Sequence, residues 1–264
     1  ATPADAALYA SDYLVDGALK VNIYGPLYPV PVGTDGRLVA GATPLWNDDW
    51  GRAISRTGIR QQYDASVSGG SAHTRYFFSG GYLNEEGWIR TAEVERVNLR
   101  TNVQSKVNNW LETGVNASLS SSYQRSPSQS DSSTGNFANF QRLISNIYPV
   151  HERNPDGSYV LDENGNQKWD YGISRPATAV SGTNILGNAE HAISGNKTEA
   201  ALLSTNATIT FLPGLLWRST ASIDYRTWNS HSYSHSYYAT GVIAEGAGTA
   251  SRGSSRALNY TLNS

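Results

Sequence analysis

Residues 96–123, RVNLRTNVQSKVNNWLETGVNASLSSSY, alternate between apolar and polar positions on both sides of a short turn. Before the turn, Val97, Leu99, Thr101 and Val103 fall on one face, and Arg96, Asn98, Arg100, Asn102, Gln104 and Lys106 on the other. After it, Leu111, Thr113, Val115, Ala117, Leu119 and Tyr123 share a face against Glu112, Asn116, Ser118, Ser120, Ser122 and Gln124. A period of two belongs to a strand with one face against an apolar environment, so the stretch predicts a hairpin. The pattern alone does not say whether that environment is a protein core or lipid.

The same period recurs along the chain. It predicts strands at 59–68, 74–83, about 95–107, 110–123, 201–212, 215–226 and from 257 onward. The connections GGSAH (69–73), NN (108–109) and PG (213–214) are short, whereas 84–94, 124–200 and 227–256 are longer, and 1–58 precedes the first strand. If each strand reverses direction, every short turn lies at one end of the sheet and every long loop at the other. A secreted β-sandwich that binds glycans alternates equally well but has no reason to sort its loops in this way. Outer-membrane barrels do sort them, with short periplasmic turns and long extracellular loops. Ten residues at about 3.3 Å each, tilted by about 40°, also rise roughly the 25 Å of such a barrel's apolar band.

Aromatics gather at the predicted strand ends: Trp110, Phe211 and Trp217 by the short turns, Tyr82, Tyr123, Tyr225 and Trp228 by the long loops. Two interfacial girdles read this way. The expectation is therefore an all-β chain forming part of a large antiparallel transmembrane barrel. In domain terms, 1–58 is a long extracellular loop region, 59–123 four barrel strands, 124–200 an extracellular loop, and 201–264 further strands with a loop at 227–256. Within the second loop, Phe137, Phe140, Leu143, Ile144 and Ile147 have helical spacing and predict a short helix.

Composition narrows the partners. The net charge of −2 in 264 residues gives no basic footprint, so nucleic acid is not expected. Charged residues make up 16%, below the roughly 25% of ordinary soluble domains. Cysteine is absent, which excludes disulfides and thiolate metal sites. Methionine is absent as well, so the chain is expected to be a mature form or part of something longer. ATPADAALYASDYL lacks the basic start and apolar core of a signal peptide.

One region resembles a known family. Trp50, the RTG of 56–58, SVSGGS (66–71), TRY (74–76), GYLNEEG (81–87), NLRTNV (98–103) and Trp110–Leu111 carry the resemblance. NIYPVHERNPDGSYV (146–160), GNAEHA (187–192) and FLPGLLWRSTASIDYRTW (211–228) extend it. Together these are similar to the SusC/RagA-like TonB-dependent outer-membrane transporters of Bacteroidetes. The resemblance implies a plugged barrel of which this chain holds about seven strands. It further implies a SusD-like surface lipoprotein as partner, TonB as energy source, and oligosaccharide or peptide as cargo. The TonB box and plug of that family are not among these residues, and two open sheet edges are not tolerated in lipid. The chain is accordingly expected to be one part of a larger barrel.

No bond chemistry is expected. HSYSH (231–235) places two histidines at i,i+4 but in a predicted loop, and solvated loop residues are the favoured reading over a metal site. DENGN (162–166) and NPDG (154–157) read as turns. Asp48–Asp49 and Glu85–Glu86 are adjacent, so their side chains diverge and do not form a glycosidase pair. No cofactor is implied. Cargo contacts are expected from loop aromatics, with Tyr148, Trp169, Tyr171, Trp228 and Tyr233 as candidates and Tyr237 and Tyr238 beside them. The competing role for such aromatics is packing of the loops themselves.

Overall fold

The computed structural model describes residues 2–127, 135–173, 175–176, 179–234 and 248–264. Tyr237, Tyr238 and His235 lie outside the described residues. The chain divides into two compact units, Ala1–Arg56 with Pro127–Ala192 and Ser234–Thr249, and Thr57–Ser126 with Ile193–Tyr233 and Ala250–Ser264.

The second unit is a single antiparallel sheet of seven strands in chain order. These are β1 (Arg60–Gly70), β2 (Thr74–Glu86), β3 (Glu93–Lys106), β4 (Leu111–Arg125), β5 (Ile193–Leu212), β6 (Leu215–Ser234) and β7 (Thr249–Asn263). All seven predicted strands are present, and β5, β6 and β7 run longer than the alternation indicated. β5 begins at Ile193, inside the expected loop of 124–200, and β6 runs on to Ser234, inside the expected loop of 227–256.

The short turns are built by local hydrogen bonds. Ser71 N–H donates to Thr74 O, and Ser71 Oγ accepts from the N–H groups of His73 and Thr74. Asn108 Oδ1 accepts from the N–H groups of Trp110 and Leu111. At Pro213–Gly214 the glycine takes φ +87°, as the third residue of a Pro-Gly type II turn must.

Register carries the alternation across the sheet. One row reads Ala65, Gly80, Leu99, Leu119, Ala201 and Tyr225; the next reads Val67, Phe78, Thr101, Ala117, Leu203 and Ile223. Opposite them runs Ser66, Ser79, Arg100, Ser118, Leu202 and Asp224, beside Asp64, Gly81, Asn98, Ser120, Ala200 and Arg226. A one-residue slip in any strand would invert its faces, so the uniform register is what makes one continuous apolar surface.

The first unit is irregular and carries its own core. α1 (Pro3–Asp12) opens with a capping box between Thr2 and Asp5 and passes into a π-helical turn, Tyr13–Ala18. Asp49 caps α2 (Trp50–Ile54), and Asn136 caps the predicted helix α3 (Phe137–Leu143). Phe137, Phe140 and Ile144 are buried, while Leu143 is exposed. The Trp50 ring meets Phe140 edge-on at 5.1 Å, and its Nε1 donates to Tyr148 O.

Beyond Tyr148, bridges at His151–Trp169, Arg153–Tyr159 and Leu161–Gln167 fold the chain into a small meander. DENGN forms a turn there: Asp162 Oδ1 accepts from the N–H groups of Asn164 and Asn166. The α4 helix (Ile185–His191) follows, and its cap, Asn184, is 0% exposed. Asn184 Nδ2 donates to the carbonyls of Val150 and Asp170, and its Oδ1 accepts from the N–H groups of Leu186 and Gly187. One buried amide with all its bonding capacity used thus pins the meander to the helix.

Candidate functional site

Three surfaces are candidates for contact with other molecules: the two faces of the sheet and a cleft in the first unit.

The apolar face of the sheet is uncovered. Leu99, Leu119, Leu203 and Ile223 are 51%, 52%, 49% and 50% exposed. So large a contiguous apolar surface is unusual for a soluble domain and marks contact with lipid or protein. The apolar band is bounded. Towards the long-loop end the same face turns polar at Glu95, Tyr123, Lys197 and Asn229, which pair in register. Lys197 Nζ meets Glu199 Oε1 at 2.7 Å at this border. Trp217 lies on the same face near the opposite end.

The other face is polar and mixed in sign. Arg60 faces Glu85 at 3.6 Å, and Arg226 bonds Asp224 through two nitrogens. Glu85 is thus occupied in a cross-strand pair. Trp228 also lies on this face, in the row Gln62, Leu83, Arg96, Ser122, Thr198 and Trp228. Two expectations change here. Trp228 and Tyr233 belong to β6 and not to a loop. Trp228 also stands on the opposite face from Tyr225, so it is not in the same aromatic row; three residues along a strand reverse the face. Tyr233, paired with Ile193, lies on the apolar side.

In the first unit a cleft of about 270 Å³ is lined by Lys20, Trp46, Tyr148, Arg153, Asp170 and Arg175, among others. Arg153 ties its base together. Its Nη2 donates to Asp48 Oδ1 at 3.0 Å, its Nη1 to Gly157 O, and its guanidinium lies 3.7 Å from the Tyr159 ring centre. Asp48 Oδ2 accepts from Val150 N–H, whereas Asp49 caps α2, so the adjacent carboxylates hold separate structural posts. Tyr148 is buried, and its hydroxyl donates to Leu19 O. Burial pushes the Tyr148 hydroxyl above its ordinary range, against the pull of Arg175. Trp169 stacks on His151 at 4.4 Å, and Tyr171 is buried. Of the five candidate aromatics, Tyr148, Trp169 and Tyr171 come together in this unit as packing residues, and Tyr148 alone lines the cleft. Asn184 and Arg175, which organise the same region, escaped the sequence reading. The only prior sign of Asn184 was its place just before an apolar pair, as a cap requires.

No protein-family model matches the chain. It is 22% identical over 174 residues to TonB-dependent receptor P39 of Formosa agariphila, covering 66% of this chain and 14% of that protein. Against TonB-dependent receptor P26 of the same organism it is 25% identical over 146 residues, 54% of this chain and 14% of that one. Among solved structures, the RagAB peptide importer in its closed-closed state aligns with a TM-score of 0.57 at 24% identity, over 82% of this chain and 23% of that chain. The open-open state aligns with a TM-score of 0.56 at 22% identity, over 99% and 29%. The chain thus spans about a seventh of the length of these curated relatives.

The chain is thus similar in sequence to these TonB-dependent receptors, and its antiparallel sheet shares the fold of part of the RagAB importer chain.

Proposed function

We propose that the sheet is a transmembrane section of an outer-membrane barrel whose parent protein imports nutrients with TonB-derived energy. The observation that carries this reading is the bounded apolar face. From Leu111 to Ser121 β4 climbs about 33 Å, or roughly 25 Å after a tilt of about 40°, the height of a barrel's apolar band. The polar face then lines the lumen, where charge of both signs is solvated. On this reading the first unit and the strand ends of β5 and β6 are extracellular, and the short turns are periplasmic.

Cargo is an oligosaccharide or a peptide, and a SusD-like surface lipoprotein closes the extracellular side. The support for cargo and partner is the likeness to the RagAB importer and the family pattern around residues 50–228. A secreted β-sandwich would place a second sheet over Leu99 and Leu119. Fractionation of the parent protein separates the two: the importer reading predicts recovery only with detergent. Recovery in the soluble fraction without detergent would sink it.

A further inference from the structure

Near the long-loop ends of β5, β6 and β7, the polar face of the sheet holds a cleft of about 360 Å³. Asn196 and Thr198 of β5, Trp228 and Ser230 of β6, and Gly253 and Ser255 of β7 line it. Trp228 is 42% exposed, a large ring flanked in this cleft by amides and hydroxyls. Gly253 keeps the space beside it open, since a Cβ there would stand 2.6 Å from Ser230 Oγ. Lys197 alternates with Asn196 and Thr198 and so lies on the opposite face, where its ammonium is paired with Glu199 at 2.7 Å. Asn229 likewise lies on that opposite face, where its Oδ1 accepts from Ser254 Oγ.

We propose that this cleft is a subsite for a neutral sugar ring, stacked on Trp228. The proposal rests on the importer reading and names the cargo class that this part of the wall receives. An indole presents a flat apolar surface that matches the C–H face of a pyranose, and its N–H is left for a polar partner. The hydroxyls around such a ring need short groups that both donate and accept, which Asn196, Thr198, Ser230 and Ser255 supply. Among the described residues, none of these four side chains is already bonded within the protein, so no internal contact has to be broken.

Charged cargo finds little here. The cleft offers no carboxylate to a basic peptide and no unpaired cation to an acidic one. An extended peptide is usually held by main-chain pairing at a sheet edge. The cleft instead lies over β6, which is already paired on both sides.

The test uses the full-length protein in detergent micelles and isothermal titration at millimolar ligand. The probes are neutral α-1,4- and β-1,4-glucan hexaoses, a β-1,4-mannan hexaose, and an uncharged hexapeptide of glycine, alanine and serine. At least one oligosaccharide is expected to bind. Trp228→Ala should weaken it by about tenfold or more, in the range of a buried aromatic anchor. Trp228→Phe should retain most of the affinity, and Gly253→Val should weaken it by filling the cleft. Trp110→Ala, at the far end of the sheet, should leave it unchanged.

Three results would overturn the sugar subsite: binding indifferent to Trp228→Ala, binding of the peptide alone, or no binding of any probe. None of them touches the importer reading, which stands or falls on fractionation.

Discussion

The Tyr123 ring in β4 stacks on His231 in β6, with centroids 6.2 Å apart and planes at 12°. β5 runs between them, and its Gly195 lies beneath the tyrosine, where a Cβ would come 2.5 Å from the phenolic oxygen. The glycine lets the ring lie flat at the border of the apolar band. Gly195→Ala should displace it and cost about 1–3 kcal/mol, the usual range for overpacking. Denaturant unfolding in vesicles measures this. In a Tyr123→Ala background the same substitution should be close to neutral, because the clash has gone.

Arg175 should be the most sensitive position of the first unit. Its side chain is 4% exposed, bonds the Asp170 carboxylate at 3.2 Å and the Asp170 carbonyl at 2.6 Å, and lies 5.6 Å from the Tyr148 ring centre. Arg175→Gln strands the largely buried Asp170 carboxylate without its cation, a loss of about 3–5 kcal/mol. Hydrogen exchange should accelerate across residues 148–186 and stay unchanged in β1 to β4. Uniform acceleration in both would refute a local role.

The first unit should also lose stability in mild acid. Burial holds the His151 imidazolium below its ordinary range; Asp48 opposes this and Arg153 adds to it. The folded state therefore binds this proton less readily than the unfolded chain. Stability should be level above the free histidine value of about 6.5, fall as pH drops through it, and level off below the folded value. His151→Phe keeps a ring against Trp169 and should flatten that response in thermal melts.

Much of the sheet was legible because its two faces meet different environments over the middle of each strand. Val97 to Val103 and Val115 to Leu119 contrast with their neighbours at every step. The reading stopped short where the contrast stops. Residues 193–200, ISGNKTEA, and 227–234, TWNSHSYS, show no alternation of apolar and polar positions, although their hydrogen-bond ladder continues. β5 and β6 have 20 residues each, about 66 Å of strand, far more than an apolar band needs. Beyond that band, period-two contrast has no cause. Trp228 shares the strand end with Tyr225 but, three residues on, has the opposite parity and so the opposite face.

In the first unit the sequence announced α3 through Phe137, Phe140 and Ile144. α4 and the Asn184 cap span too few turns to show a period, whereas the Thr2–Asp5 capping box is written in the spacing TPAD. Tyr148 and Tyr171 illustrate the limit of reading candidates from residue type. An aromatic in a long loop is equally suited to cargo and to packing, and burial decides between them.

The central claim is that Leu99 and its row face lipid while Arg100 and its row face the lumen. Leu99→Arg should cost about 2–4 kcal/mol when the full-length protein folds into vesicles, and Ser120→Lys, on the other face, much less. Spin labels test the claim most directly, in a full-length background cleared of any cysteine outside this chain, which itself has none. Single cysteines at 97 through 103 in the full-length protein, reconstituted in vesicles, would each carry a nitroxide. Collision with oxygen, which concentrates in lipid, should peak at 97, 99, 101 and 103. Collision with a water-soluble nickel chelate should peak at 98, 100 and 102. Odd positions open to the nickel chelate, or closed to both reagents as in a packed core, would contradict a lipid-facing wall.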